Sequence, residues 1–343
     1  MNRAEGISPG ADSLYPPSLR ERVDFLLDPA HYPEGTGTVQ LVETHFACVF
    51  LTDHHVYKLK KPLRYPEVDL STLPARVASC REEVRLNRPL APGVYLGTVF
   101  LNLGDAGALV LDGGHRIIDC LVKMRRLPSR DSLKARLREG RYDAQVLEAA
   151  AHRLMDFYEA MPAEGRLDPV AVKLAIDDRA REIAGLLVEP EASALRDALF
   201  SWLEKHHDRL ADRRRREVHG DLRPEHVFPG PEPVFIDRLE FNRTLRVMDP
   251  LEELAFLLLE CLRLGDGAPG RLFLRVYAER MEDRVDRTLL QFHVARRALN
   301  WALLSARHLS RGMDPGTWTE RTRTYLRLGE QALSGLLPLE INS

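Results

Sequence analysis

Val218 to Asp237 reads VHGDLRPEHVFPGPEPVFID. A His-Gly-Asp triplet, His219-Gly220-Asp221, leads a short polar loop, with Leu222 as an apolar anchor directly behind it. The run Val234-Phe235-Ile236 reads as a short strand, and it ends in a second aspartate, Asp237. A hairpin over this stretch would bring the two carboxylates onto neighbouring loops. Such a pair suits phosphoryl transfer, where one carboxylate positions a hydroxyl and the other holds a metal-bound nucleotide. A three-residue motif recurs by chance, so its weight depends on the rest of the chain.

Upstream, the chain reads as β-rich with one helix. Thr38–His45 alternates as a half-buried strand does, Ala47–Thr52 follows, Asp53-His54-His55 forms a turn, and Val56–Lys60 is a third strand ended by Lys61-Pro62. From Leu73 to Leu90 the apolar positions Val77, Cys80, Val84 and Leu86 recur at helical spacing, until Pro89 and Pro92-Gly93 stop the pattern. Strands over Val94–Leu101, Ala108–Leu111 and Ile117–Met124 complete this part, with a turn at Gly113-Gly114. After Pro128 the period changes to that of amphipathic helices: Ser132–Arg138, Ala144–Ala160, Pro169–Leu187, Glu191–Leu210, Pro250–Leu264, Arg271–Met281, Thr288–Leu309 and Thr317–Leu336. The segment before the triplet reads as a helix with a solvated end at Arg213–Arg216, where cations favour the macrodipole. Asp249-Pro250 reads as an N-cap with proline at the first helical position. The motif stretch is thus the one clear β interruption among helices.

Composition bounds the function. A chain of 343 residues exceeds what one core usually organises, so two lobes are expected. A formal net charge of −2 gives no pull toward nucleic acid or an anionic membrane. The longest apolar stretch, Leu251–Leu264, is broken by Glu252, Glu253, Glu260 and Arg263, too polar and short for a membrane helix. Four well-separated cysteines, Cys48, Cys80, Cys120 and Cys261, read as buried reduced thiols in a cytoplasmic protein. The polar N-terminal stretch through Arg20 reads as a loose tail.

The triplet in this setting resembles the catalytic and metal-binding loops of the protein-kinase-like fold in its aminoglycoside phosphotransferase branch, H-G-D-x-x-x-x-N and then a strand ending I-D. Val56-Tyr57-Lys58 resembles the V-x-K of the third strand; the EEVRLNRPLA segment resembles the helix whose glutamate partners that lysine; Asp249-Pro250 with Glu253-Leu254-Ala255 resembles D-P-x-x-D-L-A. The phrases THFACVFLTDHHVYKLKKP, EEVRLNRPLAPGVYLG, VKMRRLP and IDRLEFN are similar to a bacterial subgroup of predicted kinases, some with a second, P-loop domain. No G-x-x-x-x-G-K-[ST] occurs here, so the chain is expected to be the kinase-like half.

The resemblance implies an α+β bilobal kinase-like fold: residues 1–37 a tail and lead-in, 38–126 a β-rich nucleotide-binding N-lobe with one key helix, 127–343 a mainly α-helical C-lobe. It implies ATP or another NTP, Mg²⁺ with Mn²⁺ as an alternative, and a small-molecule hydroxyl acceptor. Asp221 would orient the hydroxyl, Asp237 would bind the metal, and Arg223 would stabilise charge on the transferring group. His219 would brace the loop; Lys58, with Lys60 as rival on the same strand face, would meet the phosphates; Glu83, with Glu82 as rival, would align the lysine.

Two departures matter. His226 stands where the branch has a metal-binding asparagine, and imidazole suits Mn²⁺ or Zn²⁺ better than Mg²⁺. Glu225 and Glu240 are both candidates to substitute as oxygen ligand. The glycine-rich loop is also missing, Thr44–Cys48 taking its place. The chain therefore reads as a small-molecule kinase, with a nucleotide-binding pseudokinase, a protein kinase or a nucleotidyl transferase as alternatives. The acceptor is not legible: Glu252, Glu253, Glu260 and Asp266 could serve a polycation, or could simply belong to a surface helix and its trailing loop.

Overall fold

A computed structural model describes residues 16–65, 68–187, 190–283, 285–309 and 314–339. The chain divides into two compact units, with the boundary at Leu127/Pro128.

The N-terminal unit opens on a helix, α1 (Leu19–Leu27), where the sequence reading expected a tail. Its start is a capping box: Ser18 Oγ accepts from the Glu21 N–H, and the Glu21 carboxylate accepts from the Ser18 N–H at 2.7 Å. The expected tail over residues 1–15 lies outside the described residues. Strands β1 (Gln40–Glu43), β2 (Ala47–Leu51), β3 (His55–Lys60), β6 (Tyr95–Leu103), β7 (Leu109–Leu111) and β8 (Arg116–Arg125) form one antiparallel sheet in the order β1-β2-β3-β8-β6-β7. A two-stranded ribbon, β4 (Arg64–Tyr65) with β5 (Val68–Asp69), precedes helix α2 (Leu73–Asn87). Leu26 of α1, Phe50, Tyr57, Leu59, Leu101 and Leu121 make one buried cluster.

A charged knot pins both helices to the sheet. Asp119 of β8 is fully buried and receives Arg76 Nε of α2 at 2.8 Å and the Arg22 guanidinium of α1. Loss of Asp119 alone would strand two buried cations, at about 3–5 kcal/mol.

In the C-terminal unit come α3 (Leu133–Arg138), α4 (Ala144–Ala160), β9 (Ala163–Arg166), α5 (Pro169–Leu186), α6 (Pro190–Ala211), β10 (Arg214–Glu217), β11 (Val227–Phe228), β12 (Val234–Phe235) and β13 (Val247–Met248). They are followed by α7 (Pro250–Arg263), α8 (Ala268–Arg280), α9 (Arg287–Ala306) and α10 (Pro315–Leu333). Helix α7 is the axis: Pro250 through Cys261 are all buried, the pattern of a helix covered on every side. Its N-cap is Asp249, whose carboxylate accepts from the Leu251 N–H at 3.0 Å.

One expectation fails here, and one of two open alternatives is closed. Arg213–Arg216 is not a helix end: α6 stops at Ala211, and β10 lies between β13 and β9 in a three-stranded antiparallel sheet. Arg213 is mostly buried, its guanidinium forked onto Asp249 at 2.7 and 2.9 Å and onto Asp283 at 2.6 Å. Burial opposes its charge, but the two carboxylates more than offset this and raise its pKa. The acidic residues of α7 are not on a surface either: Glu252, Glu253 and Glu260 are 8%, 0% and 1% exposed.

Among the described residues no helix is long and apolar enough to cross a membrane. The four cysteines are all buried and unbridged.

Candidate active site

The His-Gly-Asp loop leaves β10 and is held at its base by the Val218 N–H, which donates to the Arg246 carbonyl at 2.8 Å. Gly220 has φ +91°, and a Cβ there would lie 2.8 Å from Arg246 Cβ and 3.1 Å from Leu239 Cβ. The turn therefore takes no other residue without displacing Arg246 or Leu239 behind it.

One buried carboxylate anchors the loop from below. Glu253 of α7 accepts from the His219 N–H at 3.1 Å, the Gly220 N–H at 2.5 Å and the Tyr158 hydroxyl at 2.5 Å. Burial pushes its pKa up against these three donors. The sequence placed Glu253 in a resembling element without giving it a task; its partners, Tyr158 and the loop amides, are too distant in the chain to be seen locally.

His219 is a brace. Its Nε2–H donates to the Ile236 carbonyl at 2.9 Å, so Nδ1 faces the Asp221 N–H as acceptor at 3.4 Å. Burial, helped by neighbouring His226, holds its pKa down at about 3, so the ring is neutral. His219 thereby ties the triplet to the strand that delivers Asp237.

β11 and β12 form the expected hairpin, pairing Val227 with Phe235 and Phe228 with Val234. Asp237 follows at φ +62°, the left-handed region that aspartate tolerates better than most side chains and that clusters at functional sites. Arg238, which the sequence reading passed over, is 3% exposed and fixes this turn: its Nε donates to the Val218 carbonyl at 3.0 Å and its guanidinium lies 4.8 Å over the Phe157 ring.

His226 lies between the two aspartates. Its Nδ1–H donates to the Asp221 carbonyl at 2.7 Å, which leaves the lone pair on Nε2. That Nε2 is 3.7 Å from Asp237 Oδ2 and accepts from Arg223 Nη2 at 3.3 Å, while Nδ1 is 4.0 Å from Asp221 Oδ2. Arg223 also bonds Asp221 Oδ2 at 2.9 Å and Glu225 Oε1 at 3.1 Å. Burial works against the Arg223 charge, yet Asp221, Glu225 and Asp237 raise its pKa. Burial likewise opposes the Glu225 charge, but Arg223, His226 and Lys134 hold its pKa down at about 2.

Asp221, His226 and Asp237 supply two carboxylates and one imidazole whose second nitrogen is fixed by a backbone carbonyl, as metal-binding histidines usually are. Among the described residues no group of three or more His, Cys, Asp or Glu forms a ready-made metal cage. Of the two aspartates, only Asp237 faces the Nε2 of His226, so a cation there would need most of its ligands from phosphate oxygens and water.

In the N-terminal unit, β3 and α2 bring Lys58, Lys60 and Glu83 together. Glu83, 0% exposed, takes Lys58 Nζ on Oε1 at 2.9 Å and Lys60 Nζ on Oε2 at 2.6 Å. Glu82 faces outward and pairs with Arg85 at 2.6 Å.

No family model matches the chain. It is 28% identical over 304 residues to uncharacterized proteins of Mycobacterium tuberculosis and Mycobacterium bovis, covering 82% of this chain. The chain spans 58% of the length of these relatives. Among solved structures, a choline/ethanolamine kinase family protein from Mesorhizobium loti matches with a TM-score of 0.56 at 15% identity, over 92% of this chain and 98% of that one. A spectinomycin phosphotransferase, solved with ADP and spectinomycin, matches at 0.54 and 14%, over 93% and 99%. A choline kinase from Cryptosporidium parvum matches at 0.52 and 12%, over 92% and 96%. The chain thus has the α+β protein-kinase-like fold, with a β-rich N-lobe and a helical C-lobe, in the form shared by choline kinases and aminoglycoside phosphotransferases.

Proposed function

We propose that this chain is a phosphotransferase that moves the γ-phosphate of ATP, or another NTP, to a hydroxyl of a small molecule in the cytoplasm. The observation that carries the reading is the clamped His-Gly-Asp loop, which sets Asp221 and Asp237 on either side of His226 in a fold shared with small-molecule kinases.

Asp221 accepts a hydrogen bond from the acceptor hydroxyl and aims its oxygen in line with the γ-phosphorus; the new P–O bond forms, the bond to the nucleoside diphosphate breaks, and the hydroxyl proton passes to Asp221. Arg223, held on Asp221 by its Nη2, is placed to offset charge on the moving phosphoryl group. Asp237 and His226 would hold the divalent cation, which would supply neutralisation of phosphate charge. Lys58, whose side chain is 15% exposed against 2% for Lys60, is the lysine able to reach a phosphate; Lys60 fixes Glu83 from within.

A second reading has its own support. The Arg223 guanidinium engages Asp221 and His226 together, so the chain could bind nucleotide without transferring phosphate. Binding and turnover measured side by side decide. ATP with Mn²⁺ should raise the melting temperature of the wild type, but not of Asp237→Ala, and label from γ-phosphate should appear on an acceptor. His226→Asn should shift the preference from Mn²⁺ toward Mg²⁺. ATP binding without transfer across a broad hydroxyl panel supports the second reading; no nucleotide binding sinks both.

A further inference from the structure

A pocket of about 170 Å³ opens within the C-terminal unit, walled by Arg223, Trp301, Ser305, His308, Trp318 and Arg321. Arg223 joins it to the His-Gly-Asp loop, since the guanidinium that bonds Asp221 at 2.9 Å also lies 5.1 Å over the Trp301 ring. Across the pocket, Arg321 lies 5.3 Å over Trp318 and 6.0 Å over Tyr325, and His308 stacks on Trp318 at 3.8 Å. Stacking occupies the face of a guanidinium and leaves its in-plane N–H groups for oxygen acceptors.

Two of those donors lack one. The Nε atoms of Arg223 and Arg321 are both buried without a hydrogen-bond partner. The Nε atoms of Arg215, Arg275, Arg296 and Arg297 are unpartnered in the same way elsewhere, so what sets this pocket apart is that Arg321 brings a guanidinium to it with no carboxylate on it among the described residues.

Arg223 carries Glu225 and Asp221 on its two Nη groups, which leaves Arg321, among the described residues, as the uncompensated cation of the pocket. The α7 acids that could have received a polycation are engaged elsewhere: Glu252 with Arg296 and Arg297, Glu253 with the loop amides and Tyr158, Glu260 with Arg263 and the Tyr325 hydroxyl. Asp266, beyond the helix, accepts from the Tyr142 hydroxyl and from the Ala268 N–H. Among the described residues Arg321 has aromatic neighbours and no carboxylate partner.

We propose that this pocket receives the acceptor by an anionic group, a carboxylate or a phosphate, held by Arg321. The acceptor is then a hydroxy acid or a phosphorylated polyol. This rests on the phosphotransferase reading, with the acceptor hydroxyl at Asp221. An ammonium-rich acceptor would have to enter past the Arg321 guanidinium, which has no carboxylate beside it among the described residues.

Calorimetric titration of the full chain with four probes tests this: glycerate, glycerol 3-phosphate, glycerol and glucosamine. At least one anion should bind, its identity telling carboxylate from phosphate, and both glycerol and glucosamine should bind more weakly. Arg321→Gln should weaken the anion by about tenfold or more. Arg321→Lys, which keeps the charge and lacks Nε, should fall between, and serves if the glutamine variant does not fold. The proposal is overturned if neither anion binds, if glucosamine binds as tightly as the better anion, or if the Arg321 variants leave its affinity unchanged. ATP binding measured alongside keeps the two failures apart: anion binding lost with ATP binding intact removes the pocket assignment alone, whereas absent ATP binding removes the kinase reading.

Discussion

Glu253→Ala should both destabilise the chain and disable the His-Gly-Asp loop. The carboxylate satisfies three interior donors, the amides of His219 and Gly220 and the Tyr158 hydroxyl. Each buried donor left unpaired costs about 1–3 kcal/mol. Part of this is offset, because burial already disfavours the Glu253 charge and alanine removes it. The net loss should be about 3 kcal/mol. Tyr158→Phe removes one donor together with its need for an acceptor and should cost about 1 kcal/mol. The double variant should show coupling, since the two side chains share one hydrogen bond. Urea unfolding with linear extrapolation measures each term, and turnover should be compared at equal folded fraction. Turnover of Glu253→Ala should fall about a hundredfold while ATP affinity holds, since Asp221 directly follows the unclamped Gly220. An alanine variant within about 0.5 kcal/mol of the wild type, with normal turnover, would refute the anchoring role; a surface glutamate behaves that way.

Two further outcomes follow from groups already described. Glu83→Gln should destabilise the N-terminal unit by about 3 kcal/mol because it leaves Lys60 buried without its counter-charge, whereas Lys58→Met should weaken ATP binding with a smaller change in urea midpoint; equal effects of Lys58→Met and Lys60→Met on ATP would contradict the division of labour. Acid should act through His219, whose pKa falls from an ordinary 6.5 to about 3 on folding. Below pH 6.5 the unfolded chain takes a proton that the native ring refuses, so this stability is whole above 6.5 and declines toward pH 3 by up to about 1.4 kcal/mol per pH unit. His219→Gln should flatten that part of the decline, as seen by comparing urea midpoints of variant and wild type at pH 7 and pH 5; parallel declines would show that His219 does not carry it.

Local patterns carried much of the fold. The apolar run of Ala47–Thr52, the strand read over Val56–Lys60 and the helical spacing from Leu73 to Leu90 lie within the segments themselves, and the structure keeps them nearly as read, as Ala47–Leu51, His55–Lys60 and Leu73–Asn87. Helix α1 had a readable signal, the Ser18-x-x-Glu21 capping box, which the polar composition around it obscured. Strand β10 had none: Arg214–Glu217 is charged throughout, and it becomes a strand only because Met248 and Val247 pair with Arg216 and Glu217 from one side and β9 from the other. The burial of the α7 acids was not legible for the same reason, since Arg296, Arg297 and Tyr158, which let them be buried, come from distant segments. In the candidate site, residue types were legible from the triplet and its spacing. The clamp by Glu253, the bracing by Arg238 and the placement of Arg223 over Trp301 depend on tertiary neighbours.

The central claim is that Asp221 orients the acceptor hydroxyl. It is tested most directly by Asp221→Asn, assayed for ATP binding and for transfer of γ-phosphate to whichever acceptor the wild type uses. Asparagine keeps the shape and loses the capacity to take the hydroxyl proton, so transfer should fall by about a hundredfold or more with ATP affinity within about twofold of the wild type. Transfer at the wild-type rate in Asp221→Asn would contradict the account.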